Sequence, residues 1–331
     1  MSLPKIFAFI TLLLFAMIGA AALFKKRPEP TGSLTSLHPQ VPIEVALDDQ
    51  EQIVVPALAS HGKIASSNHH SPVSAVDLPD ANLIEELFNK SGSKLPIVET
   101  ITYKSHVPWQ KGRPAWLSDY ASHYTTSRHF IARSLNGKPD YLKQELTEGD
   151  KFNVLRKDKN FEFYLVVDTS RCRMWFYYLD LDENQSVLLK TYNVGLGRLD
   201  AAKTSGLLTP LGKYSLGNRV AIFKPKVTGN YQGKKVEMIT IFGSRWIPFE
   251  KEIGQCTAPA KGFGIHGTPW ALNPQGVLAD SGEGVGKYES DGCIRLATSD
   301  IEELFAITIS RPTTIEIVRD FSESSVTHTK K

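Results

Sequence analysis

From Phe161 onward, short runs of aromatic and β-branched residues alternate with polar turns, which restricts the second half of this chain to a mainly β fold. Phe161–Asp168, Arg173–Tyr178 and Val187–Val194 are the clearest runs, and Asp182-Glu183-Asn184-Gln185 fits a hairpin connection. Further strands are predicted at Val220–Phe223, Met238–Phe242, Phe263–His266, Gly292–Leu296 and Thr313–Val318. One helix interrupts them: Ser299 and Glu302 have capping-box spacing, while Ile301, Leu304 and Phe305 supply an apolar face. Trp175, Phe176, Tyr177 and Tyr178 read as core and sheet face.

The first half divides differently. Ile6–Phe24 carries 19 uncharged residues, about 28 Å as a helix, so residues 1–27 read as a membrane anchor or signal segment. Lys25-Lys26-Arg27 directly after it favour an uncleaved anchor over a cleavage site, although such charges ordinarily stay in the cytoplasm. Residues 28–96 read as a flexible linker, with seven prolines between Pro28 and Pro79 and no sustained apolar period. Residues 97–157 read as a small α+β domain. Trp116–Ala121 and Phe130–Leu135 have helical spacing, Asn136-Gly137 ends the second helix, and Gly149–Leu155 turns into a strand. Residues 158–320 form the β-rich domain and 321–331 a frayed tail.

Composition excludes some functions. A net charge of +3 in 331 residues, with no basic stripe, gives no nucleic-acid surface. Three cysteines do not make a disulfide scaffold, and Cys172 and Cys256 read as small buried hydrophobes. Cys293 stands apart. It lies in Ser290-Asp291-Gly292-Cys293-Ile294-Arg295-Leu296, and Gly264-Ile265-His266-Gly267-Thr268 lies 27 positions upstream, histidine to cysteine. A thiol attacks at neutral pH when a base draws off its proton, and imidazole is the usual base. Gly292 admits a substrate carbonyl and leaves the backbone N–H groups near Cys293 to face an oxyanion. Ser290, Gly267 and Thr268 stand beside the reacting pair by position. Arg295 either binds a substrate carboxylate or pairs with Asp300 or Asp291. Trp270, like Trp246, is placed to wall a substrate groove. A zinc site from Cys256, His266 and Cys293 lacks paired ligand spacing, so no metal or cofactor is implied.

Ile-His-Gly-Thr followed by Ser-x-Gly-Cys-Ile-Arg-Leu resembles the signature of the YkuD-type L,D-transpeptidases. Asp300 and Thr209-Pro210-Leu211-Gly212-Lys213-Tyr214 extend the resemblance, which spans roughly Phe161 to Asp320. It implies a YkuD-like mixed β-sheet or sandwich domain in which Cys293 is the nucleophile and His266 the base. It also implies peptidoglycan stem peptides as substrates, a thioester acyl-enzyme and a 3→3 cross-link. The inferred substrate places the catalytic domain on the periplasmic side, tethered to the cytoplasmic membrane by residues 6–24. The strand, helix, helix, strand order of residues 97–157 resembles a LysM module, which implies glycan as a further partner, although the usual N-terminal Gly-Asp-Thr is missing. The extra residues between His266 and Cys293 fall in 269–286 and reshape the substrate entrance. Two alternatives remain open: hydrolysis at the same site, as an L,D-carboxypeptidase or endopeptidase, and a non-enzymatic, membrane-tethered wall-binding protein.

Overall fold

The computed structural model describes residues 78–141 and 146–328. The expected membrane segment and most of the expected linker lie outside the described residues. Among the described residues no helix is long and apolar enough to cross a membrane.

Strand β3 (Phe161–Asp168) shows why the second half folds as it does. Its apolar run is nearly continuous, which suits burial on both faces. Phe163, Leu165 and Val167 enter the main core, and Tyr164 and Val166 enter a second cluster on the opposite face. β3 pairs antiparallel with β4 (Arg173–Asp180), which pairs with β5 (Gln185–Asn193). On its other side β3 pairs parallel with β17 (Thr313–Val318). The sheet continues through β7 (Gly212–Leu216), β11 (Arg245–Gly254), β12 (Gly264–Gly267) and β16 (Ile294–Leu296), with β8 (Ala221–Ile222) added on β11. These nine strands form one curled sheet. Register shifts after Phe249 and Glu252 interrupt the ladder along which β11 pairs with β7.

Helix α5 (Thr298–Thr308) lays Ile301, Leu304 and Phe305, all fully buried, onto the main core. Each such side chain contributes about 1.5–3 kcal/mol on burial. Three short pairings decorate the sheet: β6 (Leu196–Gly197) with β15 (Tyr288–Ser290), β9 (Thr228–Tyr231) with β10 (Lys234–Glu237), and β13 (Trp270–Leu272) with β14 (Leu278–Asp280).

Residues 97–157 have the expected order: β1 (Val98–Thr102), α2 (Leu117–His123), α3 (Arg128–Asn136) and β2 (Lys151–Leu155), with β1 and β2 antiparallel. Gly137, at φ +74°, closes α3 in the left-handed conformation. Yet this unit does not stand apart. Ile97, Val98, Phe130 and Leu155 belong to the main core, and Ser127 Oγ donates to Ala306 O of α5 at 2.5 Å. Apolar faces on both sides of α3 account for this fusion.

Other expectations are corrected. The packed chain begins well before residue 97. Helix α1 (Glu85–Phe88) buries Leu87 beside Ile84 in the main core, and Leu83 N donates to Leu189 O at 2.7 Å. Met238–Phe242 is no strand: Ile239–Phe242 forms a helical turn, α4, stopped by Gly243 at φ +62°. Its apolar side chains favour burial in either conformation, so periodicity does not separate the two over five residues. The capping box fails because α5 starts at Thr298, which puts Ser299 inside the helix. Asp280 Oδ2 instead accepts from Thr298 N at 3.2 Å. Nor is the start of the tail frayed. Phe321 packs 4.3 Å from the Trp175 ring, and Ser325 N donates to the buried Glu316 at 2.9 Å.

Candidate active site

Two neighbouring parallel strands place the expected nucleophile and base. Ile265 pairs with Ile294 and His266 with Arg295, so Gly264 stands opposite Cys293 one step earlier. Register partners project to the same face of a sheet, and that face repeats every second residue. Cys293, Arg295 and His266 therefore share one face, with the imidazole one pleat along from the thiol. No side chain intrudes from Gly264. A β-carbon there would lie 2.5 Å from Ile247 O and 2.9 Å from Trp246 Cη2.

Gly292 is equally constrained. Its φ is +120°, and a β-carbon would fall 2.6 Å from Phe263 Cε1 and 2.8 Å from Leu208 O. The backbone thus passes between Phe263 and Leu208 just before the thiol. Thr209 Oγ1 donates to Gly292 O at 3.0 Å, which gives the upstream Thr-Pro segment a part in shaping this loop.

Both side chains are buried, Cys293 at 7 % and His266 at 3 % exposure. Sγ faces Gly262 O at 3.8 Å, and no hydrogen bond joins it to the imidazole among the described residues. Burial pushes the thiol up to about 12, while the Gly264 backbone and Arg295 pull the other way. Burial, then Arg295, lowers His266 to about 3. At neutral pH the pair accordingly rests as thiol and neutral imidazole. His266 Nδ1 lies 2.7 Å from Gly267 O. That carbonyl requires a proton on Nδ1, so Nε2 carries the free lone pair. Rings of Phe242 and Trp246 hold the imidazole at centroid distances of 5.3 and 5.9 Å.

The remaining expected residues divide. Ser290 touches neither His266 nor open space: it is buried, donates to Cys293 O at 2.6 Å and accepts from Gly292 N at 3.1 Å. It closes the turn that carries the thiol. The same bond engages the Gly292 N–H, which leaves that of Cys293 as the loop amide for an oxyanion. Gly267 packs against Ser244 N, and its carbonyl orients the His266 imidazole. Thr268 is fully buried and donates to Asp280 Oδ1, so it fastens the start of the 269–286 segment to its far side. Trp270 lies against the cluster containing Cys293 and donates to Thr298 Oγ1 at 3.3 Å. Trp246 is buried core. Asp291 points to Arg198, 2.6 Å away, so its carboxylate is the least of the influences on the thiol.

Two features escape sequence reading. Tyr231, from the β9–β10 hairpin, joins the apolar cluster around Cys293. A cleft of about 550 Å³, lined by residues including Lys203, Leu208, Lys261, Phe263 and Asp291, opens on the Gly292 side of the thiol. Neither has a local signature, because each is assembled from segments far apart in the chain. Among the described residues no group of three His, Cys, Asp or Glu is placed to hold a metal ion. Cys256 Sγ lies instead against the carbonyls of Lys213 and Gly254.

This geometry defines a buried cysteine–histidine site on a curled β sheet, and a family model matches the same stretch of chain. Residues 162–317 match the family model of YkuD, the L,D-transpeptidase catalytic domain. The match leaves residues 97–157 outside it. No curated protein matches. Among solved structures, the chain is similar to Bd1075 of Bdellovibrio bacteriovorus, at 15% identity over 48% of each chain with a TM-score of 0.31. It is also similar to the helical cell shape determining protein Pgp2 from Campylobacter jejuni, at 16% identity over 49% of each chain with a TM-score of 0.31. The chain thus spans about half the length of the solved structures it matches.

Proposed function

We propose that this chain is a cysteine-dependent acyltransferase that joins peptidoglycan stem peptides through 3→3 cross-links. One observation carries the reading: His266 shares a sheet face with Cys293, and its Nδ1 is tied to Gly267 O so that Nε2 is left as base. As substrate arrives, the thiol proton passes to Nε2 while sulfur bonds to the scissile carbonyl carbon. The resulting oxyanion takes a hydrogen bond from the Cys293 N–H. The carbon–nitrogen bond then breaks, and the imidazolium returns its proton to the leaving amine. An incoming amine attacks the thioester, loses its proton to Nε2 and restores the thiol.

The same reading places the catalytic domain outside the cytoplasmic membrane, tethered by residues 6–24. It also gives residues 97–157 a glycan-holding role, supported by Trp116, which is 55% exposed with the Arg113 guanidinium 4.8 Å from its ring centroid.

Incubation with a disaccharide-tetrapeptide, followed by mass spectrometry of products and protein, tests the proposal. Cross-linked dimers together with a mass increase on Cys293 are expected. Tripeptide without dimers would make the protein a hydrolase, and an unmodified Cys293 with neither product would remove the enzyme reading.

A further inference from the structure

The net charge of this chain is concentrated on one hairpin. Residues 224–237 carry Lys224, Lys226, Lys234 and Lys235 against Glu237 alone, a net +3 that equals the formal charge of all 331 residues. The rest of the chain is therefore neutral overall. All four lysines are exposed, and among the described residues no hydrogen bond or ion pair engages their ammonium groups. The single acid is turned to the backbone, where Glu237 Oε2 accepts from Lys226 N at 3.0 Å.

Turn and register fix how this charge is displayed. Gln232 and Gly233, at φ +49° and +77°, make the tight turn from β9 to β10. Tyr231 pairs with Lys234, Asn230 with Lys235 and Gly229 with Val236. Tyr231 and Val236 thus share a face, and both pack on the cluster that contains Cys293. A β-carbon on Gly229 would lie 2.7 Å from Met238 Sδ, so this face sits directly on its neighbour. Lys235 stands on the opposite face, Lys234 at the tip, and Lys224 and Lys226 at the base. Asn230, the partner of Lys235, is four positions beyond Lys226, so the cationic strip is about 14 Å long.

Two features select what lies on it. The Gln232-Gly233 tip offers no apolar side chain to enter a bilayer. Burial, then the Asp291 carboxylate, push the Tyr231 phenol up, so an acid stands beside the hairpin and opposes a broad anionic plane. A flexible chain can follow the strip and leave that acid in solvent. Lysine ammonium groups on long stems also suit anions of variable spacing better than one rigid ligand.

We infer that the β9–β10 hairpin is a docking strip for the carboxylate-bearing peptidoglycan polymer, held by charge along Lys224, Lys226, Lys234 and Lys235 while a stem peptide enters at Cys293. The identity of the polymer rests on the acyl-transfer reading. Such attraction raises the local concentration of a polymer without touching the reacting atoms, and salt screens it.

The test uses the full-length chain and insoluble sacculi. Acetylation of the four lysines, read by peptide mass spectrometry, should slow about 10-fold when sacculi are added at low salt, and should recover at about 0.5 M salt. Sacculi stripped of phosphodiester-linked polymers by hydrofluoric acid should protect equally, and sacculi amidated at their carboxylates should not protect. The fourfold variant Lys224→Gln, Lys226→Gln, Lys234→Gln, Lys235→Gln should raise the apparent KM for sacculi about 10-fold with kcat unchanged. Its acylation by a soluble disaccharide-tetrapeptide should match the native rate, and the corresponding fourfold arginine variant should restore the KM. Protection by amidated sacculi, or an unchanged KM in the glutamine variant, overturns the inference. Protection lost on hydrofluoric acid treatment, or given by phosphatidylglycerol vesicles in place of sacculi, also overturns it and assigns the strip to a phosphate polymer or a membrane. Absence of a thioester with the soluble donor refutes acyl transfer itself, and the acetylation pattern then still decides whether the strip binds the polymer.

Discussion

Alkylation of Cys293 as a function of pH probes the resting state most directly. With the thiol raised to about 12, its thiolate fraction at pH 8 is on the order of 10⁻⁴, against about a quarter for a free thiol near 8.5. A more basic thiolate is intrinsically more nucleophilic, which recovers between one and two of those three-odd decades. Iodoacetamide should therefore modify Cys293 about 100-fold more slowly than a small free thiol, and burial can only widen that gap. The rate should climb tenfold per pH unit from 7 to 10 without levelling. His266→Gln should leave this profile in place while abolishing acyl transfer, because the neutral imidazole takes the proton only during attack. Peptide-level mass spectrometry separates Cys293 from Cys172 and Cys256 in the native chain. A plateau below pH 8, lost in His266→Gln, would show a pre-formed thiolate–imidazolium pair and refute the reasoning.

Acid should weaken the fold through His266. Its folded value, about 3, lies below the unfolded 6.5, so the unfolded chain binds the extra proton between them and stability falls as pH drops through that window. The loss reaches about 3 kcal/mol by pH 4, and urea unfolding of His266→Gln should lack that component. Gly292→Ala should cost about 1–3 kcal/mol, read by urea titration, and should stop acylation, since its β-carbon meets Phe263 and Leu208 at positive φ. Asp140→Ala removes a carboxylate bonded to the buried Arg245 and should cost about 3 kcal/mol in thermal or urea unfolding; the double variant with Arg245→Met should recover part of it.

Some of this architecture is plain in the residues. β3 and β17 are readable because Phe161–Asp168 and Thr313–Val318 are dense in aromatic and β-branched residues, with single acids at Glu162 and Glu316 inside them. β11 is not readable: Pro248 and Glu250-Lys251-Glu252 look like a loop, yet the strand pairs with β7 and β12 around its bulges. Cys293 and His266 are legible because glycines mark where backbones must approach. The role of Ser290 is not, since a buried hydroxyl facing its own turn looks the same in sequence as one facing substrate. The isolation of Arg295 is less legible still. It depends on Arg198 and Lys190, both about a hundred positions upstream, capturing the two expected partners, Asp291 at 2.6 Å and Asp300 at 3.1 Å.

The β13–β14 hairpin is fastened at its base by Thr268 and Asp280 and by Ser281 Oγ donating to Pro269 O at 3.0 Å. Its far end, Asn273 to Gly276, closes on itself through the Asn273 side chain. Lengthening such a tip adds only a slowly growing closure entropy and transmits no displacement past the fastened base. A fluorophore-binding peptide spliced between Pro274 and Gln275 would therefore leave the packing of Trp270 and Leu278 against the Cys293 cluster unaltered.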